Sequence, residues 1–113
     1  MLDRRHEEKM AEILREMGIG DESSQMAKVL IHIVDEHPHQ RKFHPKEEDD
    51  GNDSVRWVGL MVRSLESGME GEVGMGLFRK RCLKTATLLI RAIMAVDRKL
   101  YSYKGVQYLP DEL

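Results

Sequence analysis

Four of the five histidines in this 113-residue chain fall between His32 and His44, a density that raises the question of metal binding. His32 and Glu36 are four residues apart, so a helix would place both on one face, and His39 follows shortly after. Zinc takes imidazole and carboxylate ligands in tetrahedral sites. No second spaced pair accompanies them, and Pro38 interrupts the pattern. The sequence therefore predicts no metal or other cofactor, and His32, Glu36 and His39 are the side chains to inspect first.

The last long segment carries cations that could hold an anion. Lys80, Lys84, Arg91 and Arg98 are separated by four, seven and seven residues, which places them on one stripe of a helix. A glycine-rich stretch, 68–76, precedes this helix, and free N–H groups at a helix start attract phosphate. The stretch has no P-loop pattern and contains acidic residues. A plain flexible connector is the alternative interpretation.

The charge distribution narrows the choice of partner. Residues 76–104 carry +7 and the rest of the chain −9, within a net charge of −2 and a pI of about 6.2. Nucleic-acid binders are usually basic as whole domains, so nucleic acid is not an expected partner. We expect the basic stripe to pair with acids of this chain or of another subunit. A single cysteine, Cys82, favours a reducing compartment, and we expect a cytoplasmic protein without a membrane anchor.

Apolar periodicity predicts four helices, spanning about 3–17, 22–36, 54–67 and 77–100. Gly18 is expected to cap the first helix in a left-handed conformation, Asp21 to cap the second, and Pro38 to end it. Residues 37–53, with their run of four acids, are predicted to be a solvated loop. Residues 101–113 could form a short β-hairpin or an extended arm.

The predicted fold is all-α: a four-helix bundle in a single domain, 1–113, with that hairpin or arm at its end. On the longest helix one apolar stripe is predicted to face the core: Cys82, Ala86, Leu89, Ile93 and Val96, broadened by Leu83 and Ile90. Cys82 is therefore predicted to be a buried, structural thiol. The second and fourth helices are apolar on two sides. This is more apolar surface than a monomer of four helices would bury. We therefore expect a homodimer or a higher homo-oligomer.

Several short motifs occur in an order that resembles one known family. They are Asp35–Arg41 with its His-Pro pair, then His44-Pro45, then Trp57–Leu60, and finally Arg91–Arg98 with its Ala-Ile…Asp-Arg ending. This order is similar to that of the MazG-like, phage-type all-α nucleoside triphosphate pyrophosphohydrolases. The resemblance covers about Ile33 to Lys99 and implies a helical fold.

The same resemblance implies that the family's metal-binding acids are missing. The positions corresponding to its two acidic sets carry Arg63, Ser64 and Ser67 in one case, and Arg81 and Lys84 in the other. Several carboxylates are needed to hold Mg²⁺ against a triphosphate, so this arrangement cannot gather the metal. Cations in place of acids would instead attract phosphate directly.

Three functional hypotheses remain open. The leading one is a non-enzymatic binding module that holds a nucleotide or other phosphate anion through basic residues: Arg63, Lys80, Arg81, Lys84 and Arg91. The second is a divergent metal-dependent pyrophosphohydrolase that takes its ligands from other acids: Asp35, Glu36, Glu66, Glu70 and Glu72. The third is a small phage-type interaction or inhibitor protein, which the uneven charge and eight methionines suit.

Overall fold

A computed structural model describes residues 3–66 and 74–102, and within these ranges the chain forms five α-helices and no strand. They are α1 (Arg4–Glu16), α2 (Ser23–Phe43), α3 (Lys46–Asp50), α4 (Ser54–Glu66) and α5 (Met75–Ser102). The all-α prediction is confirmed. The predicted hairpin or arm falls almost wholly on 103–113, outside the described residues. The chain divides into two compact units, Met1–Gln40 and Arg41–Leu113.

The first unit is built from α1 and most of α2. The Asp3 carboxylate accepts hydrogen bonds from the backbone N–H groups of Arg5 and His6, and the His6 ring accepts from the Asp3 N–H, which closes a capping box. Ala11, Leu14 and Ala27 form its small buried core. Met10, Ile19 and Leu30 are partly buried and pack against it.

The connection between α1 and α2 depends on two left-handed glycines. Gly18 has φ +92° and Gly20 φ +79°, a region that L-residues with a side chain rarely adopt. The predicted cap at Gly18 is therefore confirmed, and Ile19 packs on the core directly after it. The predicted cap at Asp21 is wrong, because Gly20–Glu22 is a 3₁₀ turn that runs directly into α2. The Ser23 hydroxyl instead donates to the Gly20 carbonyl at 2.7 Å.

The predicted loop 37–53 is mostly helical. Pro38 does not end α2, which continues to Phe43, and α3 follows after Pro45. Proline inside a helix loses a backbone hydrogen bond and costs about 3 kcal/mol. The continuation is held by a tertiary contact of Arg41, described below, that no local pattern contains.

The second unit centres on α4 and α5, which pack as an antiparallel pair with α3 also packed on α5. Trp57 of α4 is buried against Ala92 and Ala95 of α5. At the other end of the pair the Thr85 hydroxyl donates to the Ser64 hydroxyl at 2.9 Å. From Trp57 to Ser64 the chain advances seven residues along α4, and from Ala92 to Thr85 it goes back seven residues along α5. The two helices are therefore antiparallel.

The predicted core face of the longest helix is wrong. α5 buries Ala92 and Ala95, whereas Leu89 is 47% exposed, Ile93 59% and Val96 46%. The physical reason is the size of Trp57: an indole ring fits against alanines, and the larger aliphatic stripe points elsewhere. Cys82, which belongs to that stripe, is half-buried rather than fully enclosed.

None of the helices in 3–66 and 74–102 combines the length and the apolar character that a bilayer span requires.

Candidate functional site

The most strongly buried charges of the second unit form one cluster around Asp49. This aspartate, on the short helix α3, has no exposed surface. Arg91 of α5 donates to both of its oxygens, from Nε to Oδ2 at 3.0 Å and from Nη2 to Oδ1 at 2.6 Å. A planar guanidinium matches a carboxylate in this two-pronged geometry, which makes it one of the stronger charge-assisted contacts in proteins.

A second arginine completes the coordination of Asp49. Arg41, in the last turn of α2, donates from Nη1 to Asp49 Oδ2 at 2.7 Å and to the His44 carbonyl at 3.0 Å. One carboxylate thus ties the end of α2, α3 and the middle of α5 together. We call Arg41, Asp49 and Arg91 the buried clamp.

The buried clamp determines the protonation state of its carboxyl group. Burial acts to raise the pKa of Asp49, because an ionised group is less stable away from water. Hydrogen bonds and charge from Arg91 and then Arg41 act in the opposite direction and prevail, so the pKa lies below its ordinary value of 3.8. Asp49 is therefore ionised at neutral pH and cannot serve as a general acid there.

Arg91 is fully occupied inside the molecule. It is 2% exposed, and its guanidinium carbon lies 5.7 Å from the centre of the Trp57 ring, which places the cation over the ring face. With Asp49 on its donors and an indole against it, this side chain cannot reach an external phosphate. We therefore remove Arg91 from the candidate anion-binding residues, and its role is structural.

The last turns of α5 also use their cations within the chain. Arg98 donates from Nε to Asp50 Oδ1 at 2.8 Å, and the Lys99 ammonium donates to the Asn52 carbonyl at 3.1 Å. Both contacts reach the α3 segment, but their side chains are partly exposed. The acidic run predicted as free in solvent is thus in part the counter-charge of α5.

Three of the predicted basic site residues differ from Arg91. Arg63, Lys80 and Arg81 form no salt bridge with any acid in the part of the chain that the structure describes. Arg63 and Lys80 are exposed. Arg81 is half-buried, and its Nε–H is enclosed without an acceptor among the described residues. An enclosed donor of this kind is expected to seek water or an anion.

These cations lie at one end of the α4–α5 pair. Ser64 contacts Thr85, so Arg63 in the last turn of α4 lies near the same level as the second and third turns of α5. Lys84, which is half-buried and already has an interaction within the molecule, lies one turn from Lys80. We call Arg63, Lys80 and Arg81 the basic end.

The acids that could oppose the basic end are few in the described ranges. Glu66, at the end of α4, is exposed and takes part in no salt bridge with a described residue. Glu70 and Glu72, which the hypothesis of an enzyme also requires, lie outside the described residues. The net charge of the described side chains near the basic end is therefore positive.

The histidine-rich segment does not assemble into a metal site in the described residues. No group of three or more His, Cys, Asp or Glu side chains there is placed to hold an ion. His32 and Glu36 are half-buried on α2, His39 is exposed, and the Gln40 amide donates to Glu36 at 3.4 Å. His44 contacts Glu48 at 3.1 Å on the surface of α3.

The expected pairing of the basic stripe with acids of this chain is confirmed for Arg91 and Arg98, but the sequence did not identify which acids they contact. Asp49 and Arg91 are 42 residues apart, and nothing local marks them as a pair. One signal was available: adjacent acids Asp49 and Asp50 can reach Arg91 and Arg98, which are seven residues apart on one face of a helix. Arg41, from the segment predicted as loop, had no such signal.

Comparison of the chain with protein-family models, with curated proteins and with solved structures found no match.

Proposed function

We propose that this protein is a non-enzymatic binding module that holds a phosphate-bearing anion, such as a nucleotide, at the basic end. The observation that carries the proposal is the contrast within one cationic set. Arg91 and Arg98 are neutralised by α3, whereas Arg63, Lys80 and Arg81 form no salt bridge with a described acid. Uncompensated cations at close range raise the local concentration of anions and bind phosphate oxygens.

Arg81 is the central residue of this proposed site. Its half-buried position limits the number of conformations it can take, so less entropy is lost when it binds. Its Nε–H has no hydrogen-bond acceptor among the described residues, so a bound anion would supply the acceptor that this donor lacks. Lys84, one turn further along α5, would add charge without being required as a direct contact.

The resemblance to MazG-like proteins supports a nucleotide as the ligand, and we keep it as part of the proposal. It would make this chain a relative in which cations occupy the positions of the metal-binding acids. A cytoplasmic location fits this ligand and a chain with a single cysteine. The enzymatic alternative has no cluster of acids in its favour among the described residues.

The test is calorimetric titration with inorganic pyrophosphate and with a nucleoside triphosphate at low salt, without divalent metal. We compare the wild type with R63Q/K80Q/R81Q and with K42Q/K46Q/R56Q. The control also removes three positive charges, but from other exposed positions of the same unit. We expect binding by the wild type, retention of most affinity in the control, and a loss of about tenfold or more in the first triple variant.

Two results would overturn the proposal. One is the absence of a heat signal with either ligand at low salt, and the other is an equal loss of affinity in both triple variants. Equal loss would mean that the anion responds only to net charge. Release of phosphate or pyrophosphate from the triphosphate when Mg²⁺ or Mn²⁺ is added would favour the enzymatic alternative.

A second candidate function, an interaction protein, is favoured by a different observation. Large apolar side chains of α4 and α5 are exposed, including Val55 at 78% and Ile93 at 59%. These residues do not belong to the basic end, and they are considered next.

A further inference from the structure

An apolar stripe with regular spacing runs along α5 away from Trp57. It consists of Cys82, Ala86, Leu89, Ile93, Val96 and Leu100, with successive spacings of four, three, four, three and four; the first two are half-buried and the other four are exposed. The four largest are between 36% and 59% exposed. This alternation is the heptad pattern by which one helix packs against another through interlocking side chains. α5 therefore carries a helix-pairing stripe that is separate from the face it buries against Trp57.

A matching stripe lies on α4. Val55, Val58, Val62 and Leu65 are spaced by three, four and three residues and are 78%, 58%, 46% and 38% exposed. The buried face of α4, which includes Trp57, lies on another side of the helix. Two adjacent helices thus show the same arrangement, with one face in the core and a second apolar face in solvent.

The two stripes share one side of the α4–α5 pair. At ~100° per residue, each stripe is rotated from its own core-facing side in the same sense, by roughly 130° in α4 and roughly 100° in α5. In antiparallel helices, rotation in the same sense turns both stripes toward the same side. We call the ten side chains of the two stripes the apolar face. The same construction puts Arg91 and Arg98, with α3, on the opposite side.

We infer that the apolar face is the surface through which two copies of this chain associate. Its α5 stripe is about 27 Å long, and with the neighbouring helix the face covers on the order of 500 Å². Two such faces together bury about 1,000 Å², which is near the lower limit for a biological interface between proteins. None of the ten side chains is charged, so the partner surface must be uncharged as well.

A second copy meets these requirements without any further assumption. A twofold axis brings the face of one chain against the identical face of the other, so apolar stripe meets apolar stripe with the same spacing. Small residues at Cys82 and Ala86 let a partner helix approach closely at one end of the stripe. The inference does not depend on anion binding, because the residues of the basic end are not part of the apolar face.

The test is the mass of the full chain in solution, measured by sedimentation equilibrium at several protein concentrations. Two single variants are compared, Ile93→Glu on the apolar face and Ile13→Glu on α1. The same residue type, 59% exposed in one case and 50% in the other, is replaced by the same charge. We expect a wild-type dimer, a dimer for I13E, and a shift of at least tenfold in the dissociation constant for I93E.

A second readout uses the one cysteine. Cys82 lies on the apolar face, so its reaction with a thiol reagent should be slower in the wild-type dimer than in I93E at equal concentration. Far-ultraviolet circular dichroism reports whether I93E keeps its helices, which we expect because the side chain is exposed. If I93E unfolds, Val58→Glu on α4 replaces it, with the same expected outcome.

Three outcomes would overturn the inference. They are a monomeric wild type at every concentration, an oligomer that a folded I93E or V58E variant leaves intact, and equal dissociation by I13E. The first would mean that another part of the same chain or a different protein covers the face. The second and third would place the contact between copies elsewhere.

Discussion

The two halves of α5 both carry a net positive charge, but the surroundings of their cations differ. In the C-terminal half, Arg91 and Arg98 are paired with Asp49 and Asp50 of α3, and the first of these pairs is fully enclosed. In the N-terminal half, Lys80 and Arg81 have no such partner among the described residues. A stripe of like charge on one helix therefore need not have one role. Arg91 and Arg98 build the fold, whereas Lys80 forms no salt bridge with a described acid.

The difference follows from what packs beside each half. α3 contributes a carboxylate that two arginines coordinate, and burying that group is tolerable only because both of its oxygens are satisfied. Near the basic end, the helix that packs on α5 supplies Arg63 rather than an acid. The neighbouring element therefore decides whether a cation is structural.

The largest expected effect is on the buried clamp. Asp49→Asn keeps the size of the side chain but leaves Arg91 enclosed without a counter-charge. We expect it to lower the free energy of unfolding by about 3 kcal/mol, measured by urea denaturation at pH 7. If D49N is as stable as the wild type, the enclosed pair does not hold the second unit together.

Lowering the pH should remove the contribution of the Asp49 carboxylate to the free energy of unfolding. The pKa of Asp49 is below 3.8 in the folded state and near 3.8 in the unfolded state, so its stabilisation is complete above the unfolded value and is lost as pH falls through the folded one. We expect the stability difference between wild type and D49N to be constant from about pH 5 to 7 and to shrink below about pH 4. Other carboxyl groups titrate in both proteins and cancel. A difference that grows on acidification would contradict this sign.

The exposed pair should matter far less. Arg98 and Asp50 are 30% and 38% exposed, so water and salt screen their attraction. We expect Asp50→Asn to cost about 0.5 kcal/mol in the same urea experiment, and 0.5 M NaCl to reduce that cost further. D50N tests whether enclosure, rather than charge pairing alone, makes the buried clamp strong. An effect equal to that of D49N would remove the distinction.

The smallest effect per site is expected at the basic end. R63Q/K80Q/R81Q should change the free energy of unfolding by no more than about 0.5 kcal/mol per site, because these cations stabilise no described acid. Its urea midpoint without phosphate is the measurement. A large loss of stability would show that these residues belong to the fold, as Arg91 does, and would remove the contrast between the two halves of α5.

Local patterns in the sequence were sufficient for the helices and several of their ends. Apolar periodicity located α1, α4 and α5 to within about two residues, and Gly18 marked a left-handed cap that the structure confirms. These features depend on neighbours within a few residues along the chain. Of the cations of the basic end, helical spacing found Lys80, whereas Arg63 and Arg81 were proposed from the resemblance to a known family.

Only the tertiary structure decided which side of α5 is buried and which of its cations are paired. Both apolar sides of that helix satisfy the helical period, and the choice of Ala92 and Ala95 depends on Trp57, which is distant in sequence. Likewise, the burial of Asp49 depends on its contact with Arg91 across 42 residues, and the continuation of α2 past Pro38 depends on the contact between Arg41 and that buried carboxylate. Periodicity shows which faces of a helix can be buried. Which of those faces packs against another element depends on the folded chain.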